Sequence, residues 1–239
     1  TYIHCSSHQL NLVISHSCAL PEVRNVVDRL RNCCHFFLAS PKRNGLLEHI
    51  VSNKVEHKGT RKALLDLCKT RWAERHTAYQ HFYQAYIFIT EALELIGYRM
   101  HTHEYGDLYS DWDVHNRSEA QQILASITTF DFIIVFMSIY QYLSHLSGIT
   151  VKLQNSALDI VDAYEMIEGI RNLYKLERQN VDTNFQVIYD HSCRMAEKVG
   201  SSVSMPRIAA RQQHRSNISS DSPLDYYKKN VAVPFLDHI

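Results

Sequence analysis

Apolar residues recur at gaps of three and four along most of the chain, the spacing that lays a stripe on one face of an α-helix. Tyr2-Ile3-His4-Cys5 reads as the possible end of a strand, and His8 to Ala19 as a first helix with Leu10, Leu12, Val13 and Ile14 apolar. Pro21 opens a second helix, where its missing N–H costs nothing in the first turn. Val23, Val26, Val27, Leu30, Cys33, Cys34, Phe37 and Leu38 mark its buried face. Ser40-Pro41 ends that helix and caps a short third one through Leu46, Leu47 and Ile50. Residues 53–62 are polar and read as a loop. Trp72, His76, Tyr79, Phe82, Tyr86, Ile89, Leu93 and Ile96 then share one face of a long helix ending near Gly97.

Residues 98–117 have no clear period and read as a loop or small insertion. Helical signal returns near Ser118. The segment Asp131 to Gln154 is apolar on most sides, which predicts a central, buried helix. Further helices are expected over Leu158 to Arg178 and Asn184 to Val199. Residues 200–222, rich in Ser, Arg, Gln and His, read as an exposed linker, and Pro223 to Lys229 as a last short helix. The fold class is mainly α, with at most one strand at the N-terminus.

The 25 Lys and Arg balance the 25 Asp and Glu, so the 239 residues carry no formal net charge. A strongly basic nucleic-acid binder would look different, and DNA contact would need a local patch or another segment. No uninterrupted apolar stretch reaches transmembrane length. Cys5, Cys18, Cys33, Cys34, Cys68 and Cys193 show no disulfide framework and read as reduced thiols. The chain starts at Thr1 without Met and ends at Ile239 just after an apolar run, so both ends read as cut.

Candidate chemistry is sparse. Cys5 and His8 form a C-x2-H pair, good zinc ligands, but no second pair follows at finger spacing. The alternative is a pair that fixes the strand-to-helix turn. Arg71-Trp72 sits among cations at a helix start, where tryptophan can stack on a base and arginine can meet phosphate. Equally, Trp72 can be a core residue with Thr70 as N-cap. Arg207, Arg211, His214 and Arg215 form a basic cluster in the polar linker, suited to phosphates or to plain solvation. No Walker loop, G-x-S-x-G, H-E-x-x-H or dinucleotide fingerprint is present. Asp159, Asp162 and Glu165 are spaced to share a helix face, and read as solvated.

Five segments in order carry a resemblance. His4-Cys5-Ser6-Ser7-His8-Gln9-Leu10-Asn11-Leu12 looks like the C-x2-H-x-L-N-L element of hAT transposases. Phe37 to Arg43 resembles their F-x2-S-x-K/R stretch, and Leu67 to His76 their C-x-T-R-W-x-x-R-H block. Phe130-Asp131-Phe132-Ile133, with Leu153-Gln154 and Leu158-Asp159-Ile160, resembles the later helices. Tyr226-Tyr227 with Val233 to His238 looks like the lead into the dimerisation region. The chain is most similar to the branch of THAP-domain and MYM-type zinc finger proteins.

The resemblance implies the C-terminal part of an RNase H-like fold interrupted by a short helical insertion. It divides the chain into the end of the RNase H-like core and following helices (1–72), a truncated helical insertion (73–117), a helical return to the core (118–199) and an exposed linker leading to a dimerisation region (200–239). It also implies a DDE centre in which carboxylates clamp divalent ions around a phosphate. The family's first two aspartates fall before Thr1. Asp131 stands near the third acid's place, with Glu119 as another candidate. The family has glutamate there; aspartate is one methylene shorter, a shift on the ångström scale at which catalysis suffers. The tryptophan that assists with distorted DNA corresponds to Trp72, yet only 58 residues separate Trp72 from Asp131, a short insertion.

The expectation is therefore a domesticated, non-catalytic nuclear protein in DNA-associated or transcriptional regulation. It needs no cofactor in this chain; Mg2+ or Mn2+ enters only for an active transposase. DNA would be bound through segments upstream, a homo-oligomer formed beyond residue 239, and other nuclear proteins engaged through the helical body, with no membrane. The rival readings are a live DDE transposase and a helical protein-interaction module.

Overall fold

The computed structural model describes residues 19–54, 75–100, 111–153, 158–206, 218 and 220–239, and every regular element among them is helical. The expected strand end at Tyr2–Cys5 and most of the helix from His8 to Ala19 lie outside the described residues. Helix α1 (Pro21–Leu38) buries Val23, Val26, Val27, Leu30, Cys33, Cys34 and Phe37 as their spacing predicts. Leu38, at its last position, faces solvent instead. Helix α2 (Pro41–Lys54) follows after Ser40 and buries Leu46, Leu47, Ile50 and Val51.

Helix α3 (Arg75–Tyr98) carries the long aromatic stripe, with His76, Tyr79, Phe82, Tyr86, Ile89, Leu93 and Ile96 all buried. Helix α4 (Val114–Ile127) packs along it. Gly97 permits the close approach: a Cβ there would meet Gln121 Cγ at 2.9 Å, while Gln121 Nε2 donates to the Gly97 carbonyl at 2.8 Å. Tyr86 adds a buried pin, its hydroxyl donating to the Ile127 carbonyl at 2.8 Å.

Two expectations about element limits change. The segment read as a loop through residue 117 turns helical at Val114. Asp113 caps it by accepting from the Asn116 N–H at 2.7 Å. Its first turn, Val-His-Asn-Arg, has no apolar period, so only the cap signals the start. The apolar segment from Asp131 is two helices, not one. Helix α5 (Phe130–Ser144) ends where Leu146 N–H and Ser147 N–H bond three residues back, to Leu143 and Ser144, and Gly148 takes φ +139°. Helix α6 (Ile149–Leu153) follows.

Helix α5 is buried nearly all round and packs against α1, α3 and helix α8 (Val181–Lys198). Helix α7 (Ile160–Gln179) starts on the Asp159 cap and leads through Asn180 into α8. The last short helix expected from Pro223 is present, and beyond it the chain stays on the body instead of running on as exposed linker to residue 239. Helix α9 (Pro223–Tyr227), a π turn (Lys228–Ala232) and helix α10 (Val233–His238) lie on the body. Tyr227 meets Phe130 edge-on at 5.6 Å, and Phe235 stacks on Tyr142 at 5.5 Å. Aromatic burial of this size outweighs the polar composition of the preceding linker. The Arg178–Asp237 ion pair ties α10 to α7 at 2.5 Å.

No single helix among the described residues is long and apolar enough to cross a membrane. The apolar pair α4 and α5 bends by 67°.

Candidate functional site

Both candidate acids sit beside a polar cleft between α1 and α4. Arg29, Asn32 and His35 line one wall; Glu119, Gln122 and Ser126 line the other, around about 460 Å³. The wall residues recur at helical spacing and, Ile123 on the α4 wall apart, are polar because this strip of each helix is left uncovered.

Asp131 occupies the first turn of α5, below the Thr129 cap whose hydroxyl accepts from the Phe132 N–H at 3.2 Å. A carboxylate there is favoured by the partial positive charge of the helix start. Its Oδ2 lies 3.9 Å from the Arg29 guanidinium, which also donates to the Ser126 carbonyl at 3.3 Å. Glu119 has the same kind of neighbour: Arg43 lies 3.5 Å from its Oε2. A divalent-ion clamp needs carboxylates converging on a point, and here each candidate faces a guanidinium. Among the described residues, no three His, Cys, Asp or Glu side chains gather as a metal-binding group.

The Phe37–Arg43 stretch has a structural task that spacing alone did not reveal. Lys42 Nζ stands 4.5 Å over the Trp112 ring and donates to the Asp111 carbonyl at 2.5 Å. Arg43 stands 4.1 Å over the Phe36 ring and donates to Asn116 Oδ1 at 3.0 Å. The Lys42–Trp112 contact and the two hydrogen bonds thus clasp the start of α2 to the start of α4, while the Arg43–Phe36 contact holds α2 against α1. Trp112 is buried under this clasp, in a segment read as loop. The signal available was a tryptophan just before an Asp cap.

The last residue of the R-W block, His76, is also a core residue. Its ring stacks on Tyr140 at 5.8 Å, Tyr140 stacks on Tyr83 at 4.9 Å, and Tyr83 Oη hydrogen-bonds His191 Nε2 at 2.9 Å. Burial holds the His76 pKa below the ordinary histidine value. His191 is lowered first by burial, then by the charges of Arg194 and Lys198. Both rings are therefore neutral pieces of packing at pH 7. Burial raises the hydroxyl pKa of Tyr83 and of Tyr140.

Asp131 and Glu119 are the candidate site residues that the structure describes. Cys5, His8, Arg71, Trp72, Arg207, Arg211 and Arg215 lie outside the described residues. Among the described residues, Cys33, Cys34 and Cys193 form no disulfide.

Residues 3–112 match the family model described as the ZBED1 RNase-like helical domain. The whole chain is 22% identical to the human 52 kDa repressor of the inhibitor of the protein kinase, covering 30% of that protein. It is also 22% identical to the mouse protein of the same name, again over its full length, covering 31%. The chain thus spans less than a third of the length of these relatives. No solved structure matches the chain.

Proposed function

We propose that this chain is the helical body of a domesticated, hAT transposase-derived regulator that works in the nucleus without cutting DNA, a reading supported by its similarity to the ZBED1 RNase-like helical domain and to the repressor proteins. Its relatives carry the word repressor in their names, and the proposal extends a transcriptional role to this protein. In this reading the helices hold partners, while DNA targeting and dimerisation belong to other segments.

The observation that supports it is the Arg29–Asp131 pair at 3.9 Å. A guanidinium beside the best-placed acid opposes a metal ion there and serves to fix α1 against the α4–α5 corner. Exposed pairs of this kind contribute about 0–1 kcal/mol, so the pair positions helices more than it stabilises them.

The test is a reporter assay with the full-length protein tethered to a promoter in cell nuclei. Wild type and Asp131→Asn should change reporter output equally. A response lost in Asp131→Asn while the variant stays folded and nuclear would tie regulation to a metal-binding acid and overturn the reading. So would a full-length protein that never reaches the nucleus.

A further inference from the structure

The first two turns of α7 hold to the body by little. Ile160, Val161 and Tyr164 are 80%, 61% and 65% exposed, and in these turns only Ala163 is buried. Met166 and Ile167 are half-buried. The anchor lies farther along, at Ile170 and at Tyr174, whose hydroxyl donates to the Tyr142 carbonyl at 2.7 Å. Opening residues 160–167 therefore uncovers little apolar surface and leaves the anchor in place. Segments with so few buried contacts open at a far lower free energy than the core.

Tyr164 has no packing task in this segment. Tyr79, Tyr86, Tyr142, Tyr174, Tyr226 and Tyr227 are core residues. Among the described residues, Tyr98 is the other exposed tyrosine, at 54%, and it stands between Gly97 and Arg99 at the end of α3. The two differ in the charge beside them. Asp162 precedes Tyr164 by two residues and Glu165 follows it directly; both are exposed, and no Lys or Arg occurs from Leu153 to Ile170. Asp162 also suits the helix start, a role that leaves its carboxylate in solvent.

We propose that Tyr164 is a phosphorylation site for an acid-directed protein tyrosine kinase, reached by local opening of the first two turns of α7. A kinase cleft takes its substrate as an extended strand, and these turns are the ones that can leave the helix without disturbing the core. Unwound, the segment sets acids two residues before and one residue after the acceptor, with Val161 and Ile167 three residues away on either side. Carboxylates so placed complement a cationic substrate groove. Tyr164 Oη attacks the γ-phosphorus of the kinase-bound nucleoside triphosphate, forming an O–P bond as the bond to the β–γ bridging oxygen breaks. The phenolic proton passes to the kinase's catalytic carboxylate, and the nucleoside diphosphate leaves. The product adds nearly two negative charges beside Glu165 and four residues from Glu168. Like charges at that spacing oppose the helix, so phosphorylation shifts the segment toward its open form. The inference does not depend on the regulatory reading above.

The experiment incubates the folded 239-residue chain with Mg2+, ATP and the catalytic domain of an acid-directed tyrosine kinase, and locates phosphate by tandem mass spectrometry. The expected result is phosphate on Tyr164, absent in Tyr164→Phe and retained in Tyr98→Phe. Asp162→Asn with Glu165→Gln should lower the rate at low substrate by roughly tenfold. These side chains are exposed, so each variant should keep a urea midpoint close to wild type. Hydrogen exchange should show residues 160–167 opening well before Ile170–Gln179, and faster still after phosphorylation. Phosphate that avoids Tyr164 in the folded chain, or reaches it only in urea, overturns the proposal. So does an unchanged rate in the folded acid variant, or exchange equally slow along the whole of α7.

Discussion

Replacing Phe136 by alanine tests whether the two halves of the body are joined as described. Phe136 is 3% exposed and sits at the hub of a ring cluster linking α3 to α5. Phe82 meets it edge-on at 5.3 Å and Tyr79 at 6.4 Å; Phe132 and Tyr140 stack beside it at 5.9 and 6.3 Å. Phe→Ala in a core costs about 3–5 kcal/mol, the removed transfer energy plus the cavity left behind. Four ring neighbours in three helical turns cannot all collapse inward, so the expected loss is near the middle of that range, about 4 kcal/mol. The geometry with Phe82 adds a second number. A double-mutant cycle with Phe82→Ala should show a coupling of about 0.5–1.5 kcal/mol, the double variant losing less than the sum. Urea unfolding followed by circular dichroism reads both, with the slope unchanged if only stability moves. A loss below about 1.5 kcal/mol, with additive singles, would mean that the rings are not packed as described.

Other consequences can be measured on the same chain. Trp112→Ala should cost about 3–5 kcal/mol by urea unfolding, whereas Lys42→Met, which removes only the charge over the ring, should cost about 0.5–1 kcal/mol; equal effects would refute the clasp. Thr129→Ala removes the α5 cap and should cost about 1 kcal/mol, while Thr129→Ser should restore most of it. His76 and His191 are held below the ordinary value of 6.5, chiefly by burial. The unfolded chain therefore binds more protons once pH falls through about 6.5, so stability present above that pH is lost below it. A urea midpoint flat above about pH 7 and falling toward pH 5 is expected, with a shallower fall in His191→Gln; a midpoint rising in acid would contradict it.

What the sequence made legible was periodicity. Positions such as Val23, Leu30, Phe82 and Ile89 recur at three and four, and a helix has no other way to bury them. Less legible were features set by contacts across the chain. The clasp over Trp112 joins residues about seventy apart, as the Lys42–Asp111 bond shows. The break after Ser144 rests on a backbone conformation at Gly148 inside an apolar run that pattern alone reads through. The burial of Tyr227 and Phe235 depends on Phe130 and Tyr142, which no local window relates to them. For the site, the family resemblance supplied Asp131 and Glu119 as acids. It did not supply Arg29 and Arg43, each brought beside its acid by helix packing.

Strand cleavage by the purified full-length protein bears most directly on the central claim. The substrate is duplex DNA with terminal inverted repeats, incubated with Mg2+ and separately with Mn2+. The account predicts no nicking above the protein-free background, and an Asp131→Asn variant indistinguishable from wild type. Metal-dependent nicking that disappears in Asp131→Asn would contradict it.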